Sequence, residues 1–143
     1  PLSNYEVDQY LKKLPGFVDT KGRDQYKGKI KPTACGVVNM DVSTGPGTHF
    51  TCFHSAPDRE HISYFDSYGA VPPEEIQKYL LSSGKTIAWN TTQYQEIGSS
   101  LCGYYCIKVL RELAKGKSFN DVLMEFSYNP EENEEMLIRE FHL

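Results

Sequence analysis

Apolar positions along the chain change period several times, and each change marks an expected element. Near the start, Tyr5, Val7, Tyr10, Leu11 and Leu14 approximate one helical face. Ser3 and Glu6 fit the S-x-x-E pattern, in which two side chains satisfy the free N–H groups of a first turn. Pro15-Gly16 stops that helix. Residues 17 to 34, rich in lysine and glycine and without period, read as a long surface loop. CGVVNM (35–40) is a short apolar run with paired valines, a buried strand, and STGPG (43–47) is a turn cluster. HFTCFHS (49–55) continues as a strand. Alternation there places His49, Thr51 and Phe53 on one side and Phe50, Cys52 and His54 on the other. A turn at APDRE leads to HISYFD, a β-rich run ending at Ser67-Tyr68-Gly69, so the two runs predict a hairpin.

The second half turns helical. Pro72-Pro73 before EEIQKYLL opens a helix with proline and acidic residues in its first turn, and Gly84 ends it. KTIAWN is one more short strand, with Trp89 assigned to the core. TTQYQEIGSS (91–100) is polar, whereas CGYYCIKVLRELAKG repeats apolar residues at Cys102, Cys106, Val109 and Leu113, which places a loop immediately before a helix. Ser118 to Asp121 caps a further helix through Phe126. Asn129-Pro130 opens an acidic terminal one carrying Met136, Leu137, Ile138 and Phe141. Helices flanking a small, mostly antiparallel sheet make an α+β fold. At 143 residues, without internal repeats, a single domain spanning 1–143 is expected.

Composition narrows the function classes. No apolar run approaches the ~20 residues that span a bilayer, so no membrane association is expected. PLSNYEVDQY has no secretory pattern, which predicts a reducing compartment. Cys35, Cys52, Cys102 and Cys106 lack C-x-x-C spacing and are too sparse for a disulfide framework, so free thiols are expected. A net charge of −4 argues against a dominant nucleic-acid surface. Lys21, Arg23, Lys27, Lys29 and Lys31 form a local basic stretch that reads as a solvated loop.

Candidate chemistry lies in four ordered motifs: GPGTHF (45–50), YFDSYG (64–69), TQYQ (92–95) and SSLCGYYC (99–106). A thiol attacks a carbonyl as the thiolate, and a helix N-terminus favours negative charge, which is where Cys102 falls. His49 supplies an imidazole to share the proton and later deliver it to the leaving amine. Asp66, at the end of the adjacent strand, can hold that imidazole in one tautomer. The oxyanion would take the backbone N–H of Cys102 and the side-chain amide of Gln95, with Gln93 in reserve. Gly103 lets substrate or a loop approach the backbone. Taken singly, these residues would read as a core cysteine, a structural histidine, a turn aspartate and loop glutamines. Their order changes that. Cys35, Cys52 and Cys106 read as core, His54 as a hydrogen-bonded structural histidine, and His61 and His142 as surface residues. A zinc site from His49, His54 and Cys52 is disfavoured by alternation, and no metal or cofactor is expected.

The order His, Asp, Gln, Cys, with G-T-H-F, Y-F-D-S-Y-G and S-x-C-G-x-Y-C, resembles the adenain-like (adenovirus-type) cysteine proteases over residues 36 to 113. In wording it looks most like those of Maverick/Polinton-type transposons and related DNA viruses. The resemblance implies a papain-like fold with adenain-type circularly rearranged connectivity, and a thiol endopeptidase that matures virion proteins. The implied substrate is a capsid or core polyprotein, and the implied place is the host nucleus or cytoplasm, or the virion. It is compatible with an activating peptide or nucleic acid. A disulfide-tethered activator is not expected, because Gly84-Lys85-Thr86 stands where the tethering cysteine would be. Phe50 replaces the tryptophan usual after the histidine. SUMO-specific proteases are similar in catalytic order, which leaves a ubiquitin-like-protein isopeptidase as an alternative. The spacing of seven from Gln95 to Cys102 follows the adenain pattern rather than the six of that branch. An inactive protease-fold binding or assembly module is the third reading.

Overall fold

The computed structural model describes residues 1–41 and 49–143. The turn expected at 43–47, and the GPGT that precedes His49, lie outside the described residues. The first helix, α1 (Asn4–Leu11), carries both halves of its capping box, Ser3 Oγ accepting from the Glu6 N–H and Glu6 from the Ser3 N–H. It buries Val7 and Leu11 and leaves Tyr5 exposed. Its buried face is narrower than the apolar spacing suggested.

Among the described residues five strands follow: β1 (Lys21–Gly22), β2 (Ala34–Asn39), β3 (Phe50–Ser55), β4 (His61–Phe65) and β5 (Thr86–Trp89). They lie in sequence order in one sheet. The central β2-β3-β4 meander is antiparallel, and the short outer strands β1 and β5 add in parallel. Parallel pairing of β4 with β5 needs a crossover, which α2 (Glu74–Leu81) provides. The remaining helices are α3 (Cys102–Ala114), α4 (Phe119–Leu123) and α5 (Pro130–Phe141).

Both sheet faces are covered, and alternation decides what goes where. Phe50, Cys52 and Phe65 face α1, α3 and α5, in a cluster with Val7, Leu11, Cys106, Leu110 and Leu137. Phe53, Ile62 and Tyr64 face the other way, toward Ile76 and Leu80 of α2. Tyr26 and Ile30 join that second cluster. This corrects the reading of residues 17–34 as a surface loop: β1 pairs with β2 and the Tyr26 hydroxyl donates to Val37 O at 2.7 Å, while Lys27, Lys29 and Lys31 face water. The aperiodic spacing hid two anchoring side chains. Trp89 is a second correction. It ends β5, the sheet's edge strand, and is 42% exposed rather than in the core.

α3 lies across β3 and is buried around most of its girth. Val109, Leu110 and Leu113 alone bring roughly 1.5–3 kcal/mol each on burial. Its position, and with it the placement of Cys102, is therefore set by packing.

Candidate active site

The site forms where the ends of β3 and β4 meet the start of α3. His49 immediately precedes β3, its carbonyl accepting from the Met40 N–H at 2.8 Å. Asp66 immediately follows β4. The antiparallel register that pairs Cys52 with Phe65 brings these two strand ends side by side. His49 Nε2 donates to Asp66 Oδ1 at 2.8 Å, with the carboxylate nearly sealed from water and the ring 17% exposed.

Asp66 is held by its own backbone as well. A tight turn closes with the Gly69 N–H donating to Asp66 O at 2.8 Å, and the Tyr68 N–H donates to Asp66 Oδ1 at 2.8 Å. Asn90, just past β5, clamps the same residue: its Oδ1 accepts from the Asp66 N–H at 3.1 Å, and its Nδ2 donates to Asp66 O at 2.6 Å. Gly69 sits at φ +76°, and a Cβ there would lie 2.6 Å from Thr91 O, so no other residue fits without moving the turn.

Cys102 is the first residue of α3 and is 7% exposed. Side-chain oxygens of Ser3, Ser118 and Asn129 cap α1, α4 and α5, but Leu101 offers α3 none. The first N–H groups of α3 are thus left uncapped by side chains beside the sulfur, where they favour an anion. Beside Gly103, a Cβ would meet Leu2 Cδ1 at 3.1 Å and the Phe50 ring at 3.5 Å. The missing side chain makes room for the chain's own N-terminal segment.

Burial pulls the His49 imidazolium down. Hydrogen bonding to Asp66, then to Cys102, and the negative charge of both outweigh it, leaving the ring raised from 6.5 to about 9. With Nε2 committed to Asp66, Nδ1 is the nitrogen that remains for the sulfur. Burial, with the charge of Cys52 behind it, pushes Cys35 up to about 12, and burial pushes Cys106 well above its ordinary value. All four cysteines are free.

Gln95 is wholly buried and tied to the acid's turn. Its Oε1 accepts from Ser67 Oγ at 2.5 Å, its backbone N–H donates to Ser67 O at 3.1 Å, and its Nε2 donates to Ser99 O at 3.0 Å. One amide hydrogen is thereby committed, and a primary amide carries a second. Gln93 is exposed and donates from Nε2 to Gln95 O at 2.9 Å. Ser67, Tyr68 and Asn90 escaped the sequence reading. D-S-Y-G does point to the first two, whereas Asn90 at a strand end carries no signal beyond a turn. His54 is buried near the far end of β3 with no hydrogen-bond partner for Nδ1, contrary to the expected satisfied histidine. Burial, followed by the charge of Arg59, lowers it to about 4. Among the described residues no group of three or more His, Cys, Asp or Glu is placed to hold a metal, and no helix is long and apolar enough to cross a membrane.

No family model matches the chain, and no curated protein matches it in sequence. Solved structures do match. SUMO protease Ulp1, with its catalytic cysteine oxidised to a sulfinic acid, superposes with a TM-score of 0.55 at 13% identity, covering 82% of this chain and 68% of that one. ASFV pS273R protease superposes with a TM-score of 0.51 at 22% identity over 64% of this chain. The match spans 38% of the ASFV protease. The expected α+β architecture, a small and mostly antiparallel five-stranded sheet flanked by helices, is thus the fold this chain shares with those proteases.

Proposed function

We propose that the chain is a cysteine peptidase with Cys102 as nucleophile, His49 as general base and acid, and Asp66 as the group that orients the ring. The observation that carries this is the His49 ring, bonded through Nε2 to a buried carboxylate and raised by both Asp66 and Cys102. A ring at about 9 is protonated at neutral pH, which favours an imidazolium beside a thiolate. The Cys102 sulfur attacks the scissile carbonyl. Negative charge moves to the carbonyl oxygen, where the Cys102 backbone N–H and the second Gln95 amide hydrogen receive it. His49 then gives its proton to the leaving amine, and the C–N bond breaks to leave a thioester. Water adds to the thioester as His49 takes its proton, and the acid product leaves with the thiolate restored.

The substrate is a protein. On Y-F-D-S-Y-G and the seven-residue step from Gln95 to Cys102, we assign it to the capsid or core precursors of a virus or transposon. A ubiquitin-like protein is the second reading, favoured by the superposition on SUMO protease Ulp1 over 82% of this chain. Incubation of parent and Cys102→Ala protein with a peptide library and with SUMO and ubiquitin vinyl-sulfone probes tests both. Cleavage lost in the variant, without probe labelling, supports the first reading. Labelling of Cys102 supports the second, and equal cleavage by both proteins overturns the peptidase assignment.

A further inference from the structure

Tyr68 makes contacts that the mechanism above leaves unused. Its backbone N–H donates to Asp66 Oδ1 at 2.8 Å, the same oxygen that accepts from His49 Nε2. Its ring lies 4.9 Å from the imidazole, centroid to centroid, with 37° between the planes. Its hydroxyl donates to Glu96 O at 3.3 Å and Ser99 O at 3.5 Å, and Ser99 O also receives the Gln95 amide. Those hydroxyl bonds are long, so they steady the ring without defining its place. Its place comes from the turn after β4, closed by the Gly69 N–H on Asp66 O, which sets Tyr68 beside the end of β3 that His49 precedes.

We propose that Tyr68 is a positioning residue, its ring roofing the His49 imidazole while its N–H fixes the carboxylate oxygen that the imidazole uses. This rests on the reading of His49 as the base. An aromatic face within about 6 Å attracts a cation, and so favours the imidazolium over the neutral ring. Covering one face of the ring also lowers the local dielectric, which strengthens the charge-assisted bond to Asp66. The phenol itself stays neutral, because burial and the charges of Cys102, Glu134 and Asp66 all raise it. Among the described residues, the titratable groups facing His49 are Asp66 from the turn after β4, Cys102 from α3, and Tyr68.

NMR titration of the His49 ring in parent, Tyr68→Phe and Tyr68→Leu proteins, with kcat and KM of each, tests this. Removing the ring is expected to lower the His49 midpoint by about one pH unit. It should also cut kcat by about 10-fold or more, the scale of a small misplacement, while KM stays within about 2-fold. Tyr68→Phe should restore both values. Tyr68→Met serves as a second non-aromatic variant if the leucine protein folds poorly. A non-aromatic variant that titrates as the parent does overturns the proposal. So does a phenylalanine variant as impaired as leucine, since that would place the effect in the hydroxyl. The titration needs no turnover: a parent inert toward every peptide and unlabelled by the vinyl-sulfone probes would sink the peptidase reading, and the NMR would still decide whether the ring governs His49.

Discussion

Four buried thiols share this chain, and their chemistry is separated by where the backbone puts them. Cys35 and Cys106 sit inside a strand and a helix, where desolvation holds them as thiols. Cys102 opens a helix that no side chain caps. Brief treatment with iodoacetamide at neutral pH is therefore expected to modify Cys102 first. Peptide mass spectrometry reads the site, and equal modification of Cys35 and Cys106 would contradict the assignment. The histidine gives a second prediction. Its charged form persists up to about 9, so kcat/KM should fall as pH rises through that value. Asp66→Asn removes the carboxylate that raises the ring, and should move this alkaline limb down toward 6.5. A limb that stays in place would mean that Asp66 does not support the charge.

At the scale of elements, the turn at 66–69 and the loop at 90–95 act as one piece. Asn90 bonds both backbone groups of Asp66, and Ser67 bonds both the backbone and the side chain of Gln95. Asn90→Ala would strand the buried Asp66 N–H, at about 1–3 kcal/mol, while Asp66 O keeps the bond from the Gly69 N–H. Thermal melting should show the loss, and kcat should fall with it because the carboxylate loses its mooring. Gly69→Ala should cost at least about 1–2 kcal/mol from the left-handed backbone alone, with the clash against Thr91 added. A Gly69→Ala protein melting with the parent would show that the turn relaxes freely. Much of this tier was readable from residue types. The serine cap of α1, the proline start of α2 and the hairpin of β3 with β4 follow local rules. Tyr26 and Ile30 did not, because no period links two core residues in an irregular segment, and Trp89 did not, because β-propensity is blind to which strand forms the edge.

Across the whole molecule, two histidines at opposite ends of β3 set opposite pH limbs of stability. His54 is lowered to about 4, so between there and 6.5 the unfolded chain binds more protons, and stability falls as pH drops. His49 is raised to about 9, so the folded chain binds more protons above 6.5. Its contribution, full below 6.5, is lost as pH rises through 9. The melting temperature should therefore peak near pH 6.5. His54→Gln should flatten the acid limb and His49→Ala the alkaline one, and limbs unchanged by either variant would assign them to other groups.

The sequence by itself determined the α+β class, the order of elements outside 17–34 and the residues proposed to carry chemistry, because caps, periods and motif order are local properties of a chain. Alternation alone would have set His49 on the α2 face of the sheet, away from the helix that bears Cys102. Tertiary structure decided otherwise: His49 stands just before the first residue of its strand, where a side chain can turn across to either face. The bonds of Asn90 to Asp66 and of Ser67 to Gln95, and the approach of the tilted Tyr68 ring to the imidazole, likewise depend on packing, which joins residues that no local rule connects.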